Sequence, residues 1–473
     1  MSSPLDLFER FEQSARASSW IGEWESPPLR GEEILARIRR CAARLAAEGV
    51  ARGARVLLGE MPELSRVVGL LAVWSLDAVA LPAEAGISRA EAGNLCRELA
   101  PRCMLTDVAG CWRAQRVDSD AGAAQPPPGT ALIKLTSGST GRVKGIAVGA
   151  AHLLADGQQI VEGMGIRQDD VNLGVIPLAH SYGLGNLMMP LVLQGTPLLL
   201  LGEAHPTILA RALSRPEPCV FPGVPALYDL LLQLPEAGVA PGGLRLCLSA
   251  GAPLRPTTAR AFRQRTGLPI RAFYGASECG GISYDASPSG AMAESEGCVG
   301  TPLPRVEVRL EGGERRVQIR SAAVAFGYHP SGRTAGEGEF IDGWFKTGDI
   351  GRFDEAGGLH LSGRIGALIN VAGRKVNPRE VEAALLSMPE IGDAAVLGVP
   401  DAARGEALVA CLVSRERLSR ETVLSRLRAE LAEHKLPRRL IFLPEIPRNA
   451  RGKIDRRALL DASRSSDPTD TGS

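Results

Sequence analysis

Residues 132–145, LIKLTSGSTGRVKG, constrain the fold more than any other stretch, because an apolar strand runs straight into a loop of small hydroxyl and glycine residues that closes on a lysine. Glycines at 138, 141 and 145 let the backbone take positive φ and turn its N–H groups inward. Ser137, Ser139 and Thr140 add hydroxyl donors and Lys144 adds a charge, so the loop suits a phosphate. A tight turn between two strands uses the same small polar residues, and the stretch alone does not separate the two readings. The fifth residue after Gly138 is Val143, which departs from the Walker pattern G-x-x-x-x-G-K-[ST], so P-loop kinase or ATPase chemistry is not supported. A phosphate held here is held in another fold.

A chain of 473 residues, 45% of them hydrophobic, exceeds what one core organises, so two or more domains are expected. The opening MSSPLDLFERFEQ carries acids where a secretory signal needs a basic start and an apolar run. The most apolar segment, 187–201, is interrupted by Pro190, Gln194, Gly195 and Pro197 and is too short to span a bilayer. A soluble protein is expected. Nine cysteines scattered singly, with no C-x-x-C pair, argue against a disulfide framework and a zinc site and fit a reducing cytoplasm. A net charge of +1 gives no general reason to bind nucleic acid or an anionic membrane.

Short apolar runs at 56–58, 219–221 and 246–248 alternate with longer stretches of helical period, which predicts α/β layers. One predicted helix covers 32–48, with Ile34, Leu35, Ile38, Cys41, Ala42 and Leu45 on one face. After about residue 360 the texture changes to a second, compact unit. There Asn377, Pro378 and Glu380 read as N-cap, first helical turn and capping partner of a helix through Leu386. A second amphipathic helix carries Val423, Leu424, Leu427 and Leu431, and the final SRSSDPTDTGS has almost nothing to bury.

Four further clusters carry chemistry. YGASE, 274–278, follows the apolar run 268–273 and is expected at a strand's C-terminal edge, where open α/β sheets bind ligands, although a strand-to-loop turn explains it equally. WFKTGD, 344–349, sets Asp349 on a glycine turn, where it would accept from ribose hydroxyls or cap the turn. PRNARGKIDR, 447–456, is a basic loop or a solvated charge run. His180, in PLAHSYGLGN, reads equally as a satisfied core histidine or a ligand.

In this order along the chain, TSGSTGRVKG, HSYGLGN, SAGAPL, YGASE, WFKTGD, SGRIG, GRKVNPREVE and PRNARGKIDR closely resemble the motifs of the adenylate-forming superfamily. That superfamily holds acyl- and aryl-CoA ligases, peptide-synthetase adenylation domains and firefly-type luciferases, and the resemblance spans residues 56–459. It implies an α/β fold: a large multi-sheet N-terminal domain at 1–364, a small mobile α+β domain at 365–460 and a disordered tail at 461–473. It also implies an AMP-forming acid–thiol ligase. A carboxylate attacks the α-phosphate of ATP to give acyl-AMP and pyrophosphate, and a thiol then displaces AMP.

The resemblance carries roles to particular residues. Thr136, Ser137, Gly138, Ser139, Thr140, Gly141 and Lys144 would hold the β and γ phosphates, with Glu278 and Thr140 on the Mg²⁺ side. Tyr274, with Gly275 and Ser277, would lie against the adenine, opposite Gly251, Ala252 and Pro253. Asp349, and Arg364 from the SGR turn, would take the ribose hydroxyls, and Lys453 would be the mobile catalytic lysine that bridges carboxylate and α-phosphate oxygens. His180 would lie beside the substrate carboxylate, in a pocket that Gly183, Gly185, Gly275, Gly280 and Gly281 open by lacking side chains. Gly373 would flank the pantetheine channel.

Amino-acid-activating relatives carry an aspartate where this chain has Ala179, His180 and Ser181. A buried ammonium without that partner costs several kcal/mol, which disfavours an α-amino acid. HSYGLGN more closely resembles the aryl and fatty acid ligases, and that resemblance implies an aryl or fatty acid with CoA as co-substrate. The family's hinge acid or lysine is replaced by Gly366, the usual threonine of YGATE by Ser277, and the N-terminal region is short. Gly366 leaves a hinge with more backbone freedom. Two other readings share these residues: a ligase that loads an acyl carrier protein, and a non-catalytic nucleotide-binding regulator. Nothing in the sequence sets the oligomeric state.

Overall fold

The computed structural model describes residues 2–465 except 16–18, 85–88, 109, 118–123, 138–142, 203–204, 236–241, 314, 331–337, 366–367, 372–373, 402–404, 417 and 449–453. Contacts divide the chain into two compact units. The larger holds Met1–Arg309, Gln318–Thr347 and Phe353–His360, and the smaller holds Leu310–Val317, Gly348–Arg352 and Leu361–Ser473. The division is therefore not one point at residue 364, because two short upstream segments cluster with the C-terminal part.

Two large sheets dominate the described residues of the larger unit. In the nine-stranded sheet, Trp20–Glu23, Leu198–Leu200, Val171–Gly174, Cys219–Gly223, Leu244–Ser249 and Ile270–Ala276 lie side by side, each parallel to its neighbour. Parallel strands are covered on both faces and so read as continuous apolar runs, as Cys219–Gly223 does with all its residues buried. Gly280–Tyr284 then turns back antiparallel to Ile270–Ala276. The seven-stranded sheet has the hairpin Thr130–Ser137 and Val143–Gly149 beside Val79–Pro82, Arg55–Leu58 and Cys103–Val108. All three predicted runs lie inside strands. The helix predicted at 32–48 is Gly31–Ala47, and its six apolar-face residues are buried.

The smaller unit is α+β. Its sheet runs Arg374–Val376, Ile369–Val371, Gly405–Ser414, Ile391–Asp401, with Arg439–Phe442 beside Gly405–Ser414. Val381 and Leu385 of the helix Pro378–Leu386, and Val423 and Leu427 of Arg420–Glu430, pack into one core with Val396, Leu408 and Leu412. Asn377 caps the first helix as predicted, its Oδ1 accepting from the Arg379 N–H at 3.1 Å. Glu380 does not close a capping box; its carboxylate pairs with Lys435.

The segment expected to be tail begins instead as helix Arg456–Ser465, because Leu459 is fully buried in a cluster with Ile441 and Ile446. Residues 466–473 lie outside the described set. Among the described residues no helix is long and apolar enough to cross a membrane.

Candidate active site

The strands flanking the expected phosphate loop form an antiparallel hairpin, with Thr136 opposite Lys144 and Ser137 opposite Val143. Lys144 thus belongs to a strand rather than to the loop, and Gly138, Ser139, Thr140 and Gly141 lie outside the described residues. Gly145 does not use positive φ. It is small because a Cβ there would meet Ile133 at 2.6 Å and the His329 carbonyl oxygen at 2.9 Å.

Tyr274 and Gly275 stand at the C-terminal end of Ile270–Ala276, and Gly251, Ala252 and Pro253 follow the adjacent parallel strand Leu244–Ser249. Ser249 is opposite Ala272, so both segments leave the sheet at the same edge, where such sheets bind ligands. Gly251 takes φ 81°, a turn that a side chain would strain. The two expected walls of the adenine slot therefore start from neighbouring strands.

Beyond Tyr274 the chain turns at 277–279 into the strand Gly280–Tyr284, and this hairpin turn with its first two strand residues, 277–281, is gripped from several elements. The Cys279 N–H donates to the Ala276 carbonyl at 3.2 Å and closes it. Lys134 Nζ donates to the Ser277 carbonyl at 3.1 Å, and Asp156 Oδ1 accepts from the Gly281 N–H at 2.8 Å. The Ala325 N–H donates to the Glu278 carbonyl at 2.8 Å, while Tyr328 Oη donates to Glu278 Oε1 at 3.0 Å. Ser181 Oγ donates to Ser277 Oγ at 3.0 Å, tying the turn to the neighbour of His180. Lys134 is 4% exposed and Asp156 5%. Burial lowers the Lys134 ammonium and raises the Asp156 carboxyl from their ordinary values, and the charge of each opposes the shift of the other.

His180 precedes the helix that opens at Ser181–Gly183, and its Nδ1 stands 3.6 Å from Glu84 Oε1. That helix passes through a π-helical segment, Leu184–Met188, before Met189–Gln194. Pro190 has no N–H for the Asn186 carbonyl, which accepts from Asn172 Nδ2 at 3.1 Å instead.

The glycines do not open a pocket. A Cβ on Gly280 would meet Asp156 Oδ1 at 2.3 Å, and one on Gly183 the Pro177 carbonyl at 2.3 Å. Gly185 is closed by Ile160 at 2.8 Å, Gly275 by the Gly280 carbonyl at 2.7 Å and Gly281 by Leu303 at 2.8 Å. Each is a glycine because protein already fills the space.

In the smaller unit Asp349 and Arg364 come together, Arg364 Nε donating to Asp349 Oδ1 at 2.9 Å. Neither sits on the turn that its motif suggested. Trp344–Phe353 is one continuous strand through Gly348 and Asp349, and Arg364 ends the strand Leu359–Arg364. Gly363 is small because the Asn377 side chain lies 2.7 Å from where its Cβ would stand. Arg448 and Ile454 pair as an antiparallel bridge, and Lys453, Gly366 and Gly373 lie outside the described residues.

Sequence reasoning missed Lys134, Asp156 and Tyr328. An ionisable residue inside the apolar strand ALIKL was the available signal for Lys134. Asp156 and Tyr328 sit among ordinary helix and strand residues. None of the nine cysteines forms a disulfide. Cys298, Asp354 and His360 converge, but His360 Nε2 and Asp354 Oδ2 are 2.8 Å apart, a hydrogen bond shorter than the spacing of two ligands around one metal ion.

The AMP-binding enzyme family matches residues 29–328, and the AMP-binding enzyme C-terminal domain matches residues 380–453. The chain belongs to the AMP-binding enzyme family. A sulfoacetate–CoA ligase of Cupriavidus necator is 33% identical over 365 residues, covering 72% of this chain and 69% of the relative. An oxalate–CoA ligase of Arabidopsis thaliana is 30% identical over 359 residues, covering 72% of this chain and 69% of the relative. The ATP-bound crystal structure of MatB from Rhodopseudomonas palustris is similar with a TM-score of 0.85 at 26% identity, covering 98% of this chain and 99% of that one. Within this AMP-binding enzyme the first match falls in the larger unit apart from Leu310–Val317, and the second falls in the smaller unit.

Proposed function

We propose that this AMP-binding enzyme activates a carboxylic acid with ATP and passes the acyl group to the thiol of CoA. The carboxylate oxygen bonds to the α-phosphorus as the bond to pyrophosphate breaks; the thiol sulfur then bonds to the acyl carbon as AMP leaves. The observation that carries the reading is the clamped turn 277–281 at the ligand-binding edge, which holds Glu278 in one orientation next to the Tyr274 wall. A carboxylate oriented by a tyrosine hydroxyl is the hard oxygen donor that Mg²⁺ takes, so Glu278, with Thr140, is assigned to that ion. When bound, Mg²⁺ screens the charge of the departing pyrophosphate.

The remaining roles follow the family. Lys144 and the loop 136–141 grip the β and γ phosphates, Asp349 and Arg364 the ribose, His180 the substrate carboxylate, and Lys453 the reacting oxygens. Gly373 flanks the path of the pantetheine arm and Gly366 serves as the hinge. The pairing of Asp349 with Arg364 supports a shared ribose site, since the arginine holds the carboxylate ready to accept. Nine cysteines without a disulfide suit a cytoplasmic enzyme. The sulfoacetate and oxalate ligases act on short acids with a second anionic group, and filled space at Gly183, Gly185 and Gly280 adds weight to testing such acids first.

The test is pyrophosphate release with ATP and Mg²⁺ across short, medium, long and aromatic acids, with CoA or an acyl carrier protein as acceptor. Acid-dependent release with formation of acyl-CoA is expected; silence across the panel overturns the reading. Lys453→Ala should abolish acyl-AMP formation yet still convert supplied acyl-AMP, and equal loss of both half-reactions would count against the role of Lys453.

A further inference from the structure

We propose that Lys134 and Asp156 are positioning residues that hold the turn 277–281, and with it Glu278, at a set distance from the phosphate-loop strand. The inference rests on the role of Glu278 proposed above and extends it to two residues that touch no substrate.

Lys134 lies on the strand Thr130–Ser137, two residues before Thr136. Its Nζ reaches the Ser277 carbonyl at one end of the turn. Asp156 comes from another element, the helix Ala150–Met164, and takes the Gly281 N–H at the other end. A Cβ on Gly280 would collide with the Asp156 carboxylate, so the turn and that side chain are fitted to each other. Glu278 lies between the two grips.

Both side chains are nine-tenths or more buried. A glutamine or a serine would satisfy the same backbone groups without bringing a charge out of water. What a charge adds is a shorter, stronger bond and a sharper geometry. Burying two opposite charges on either side of a third is tolerable because the ammonium lies within the field of both carboxylates. The arrangement cross-links the strand that presents Thr136 and Ser137 to the turn that presents Glu278. Phosphate donors and metal-side carboxylate are thereby kept in register while substrates come and go.

The experiment compares the parent enzyme with Lys134→Met, Asp156→Asn and the double variant. Hydrogen–deuterium exchange of the peptide containing 277–281 reads the turn, and the Mg²⁺ concentration for half-maximal pyrophosphate release reads Glu278. Each single variant should speed exchange in that peptide while peptides of the smaller unit stay unchanged. It should also raise the Mg²⁺ midpoint on the order of tenfold, as loss of a ligand-orienting partner does, with the KM for the acid within about twofold. Simple loss of folded protein would lower kcat and leave the Mg²⁺ midpoint where it was. If the single variants do not fold, the double variant, which leaves neither charge unpaired, is measured in the same way. Unchanged exchange at 277–281 overturns the positioning role. Faster exchange with an unmoved Mg²⁺ midpoint upholds the positioning role and overturns the assignment of Glu278 to the metal.

Discussion

Charge is used in opposite ways in the two units. Around the turn 277–281 in the larger unit, Lys134 and Asp156 are buried and bind backbone groups. In the smaller unit Arg426 meets Glu390 at 2.9 Å and Arg448 meets Asp393 at 2.8 Å, with the arginine side chains 45% and 43% exposed. Exposed pairs sit in high dielectric, lose side-chain entropy and contribute little. Buried charges have no water to fall back on, so the cost of removing one partner is large. The contrast separates charges that set a geometry from charges that decorate a surface.

The comparison breaks most readily at its buried end. Lys134→Met should destabilise the larger unit by about 2–3 kcal/mol, because the buried Ser277 carbonyl loses its charged donor. Urea unfolding followed by tryptophan fluorescence checks this, Trp74 being fully buried in that unit. A loss below about 1 kcal/mol would place Lys134 with the surface pairs. Tyr328→Phe comes next. It removes one hydrogen bond to the Glu278 carboxylate, about 1.5 kcal/mol, and should raise the Mg²⁺ midpoint with little effect on the fold. Removing the helix cap by Asn377→Ala should cost the smaller unit about 1 kcal/mol.

The smallest effect belongs to Arg426→Ala. Hydrogen bonding to Arg426 holds the Glu390 carboxyl below its ordinary value of 4.5. A depressed folded-state value means that the contribution is present above pH 4.5 and lost as pH falls through the lower folded value. Parent and variant should therefore differ slightly in urea midpoint at pH 7 and converge on acidification. A gap that persists at low pH would show that Arg426 acts through packing rather than charge.

Much of the site is legible in the chain because its motifs are contiguous. The α/β layering, the apolar face of Gly31–Ala47 and the Asn377 cap follow from periodicity and capping chemistry within a few residues. The misreadings have a common cause. WFKTGD and SGR look like turns because glycine marks turns, yet both lie in strands, Gly363 being small to admit Asn377. Gly183, Gly185 and Gly280 suggest empty space because the sequence shows a missing side chain and not its neighbour. Glu380 has the spacing of a capping partner and is taken by Lys435, 55 residues away.

By itself, then, the sequence determined the family: TSGSTGRVKG, YGASE, WFKTGD and PRNARGKIDR stand in an order that names an AMP-binding enzyme. Only tertiary structure decided how Glu278 is aimed. Lys134 is 143 residues from Ser277 and Asp156 is 125 residues from Gly281, and a lone charge in an apolar strand does not announce its partner. Motifs are legible because their parts are covalent neighbours. Positioning groups are not, because their energy exists only once distant segments have excluded water together.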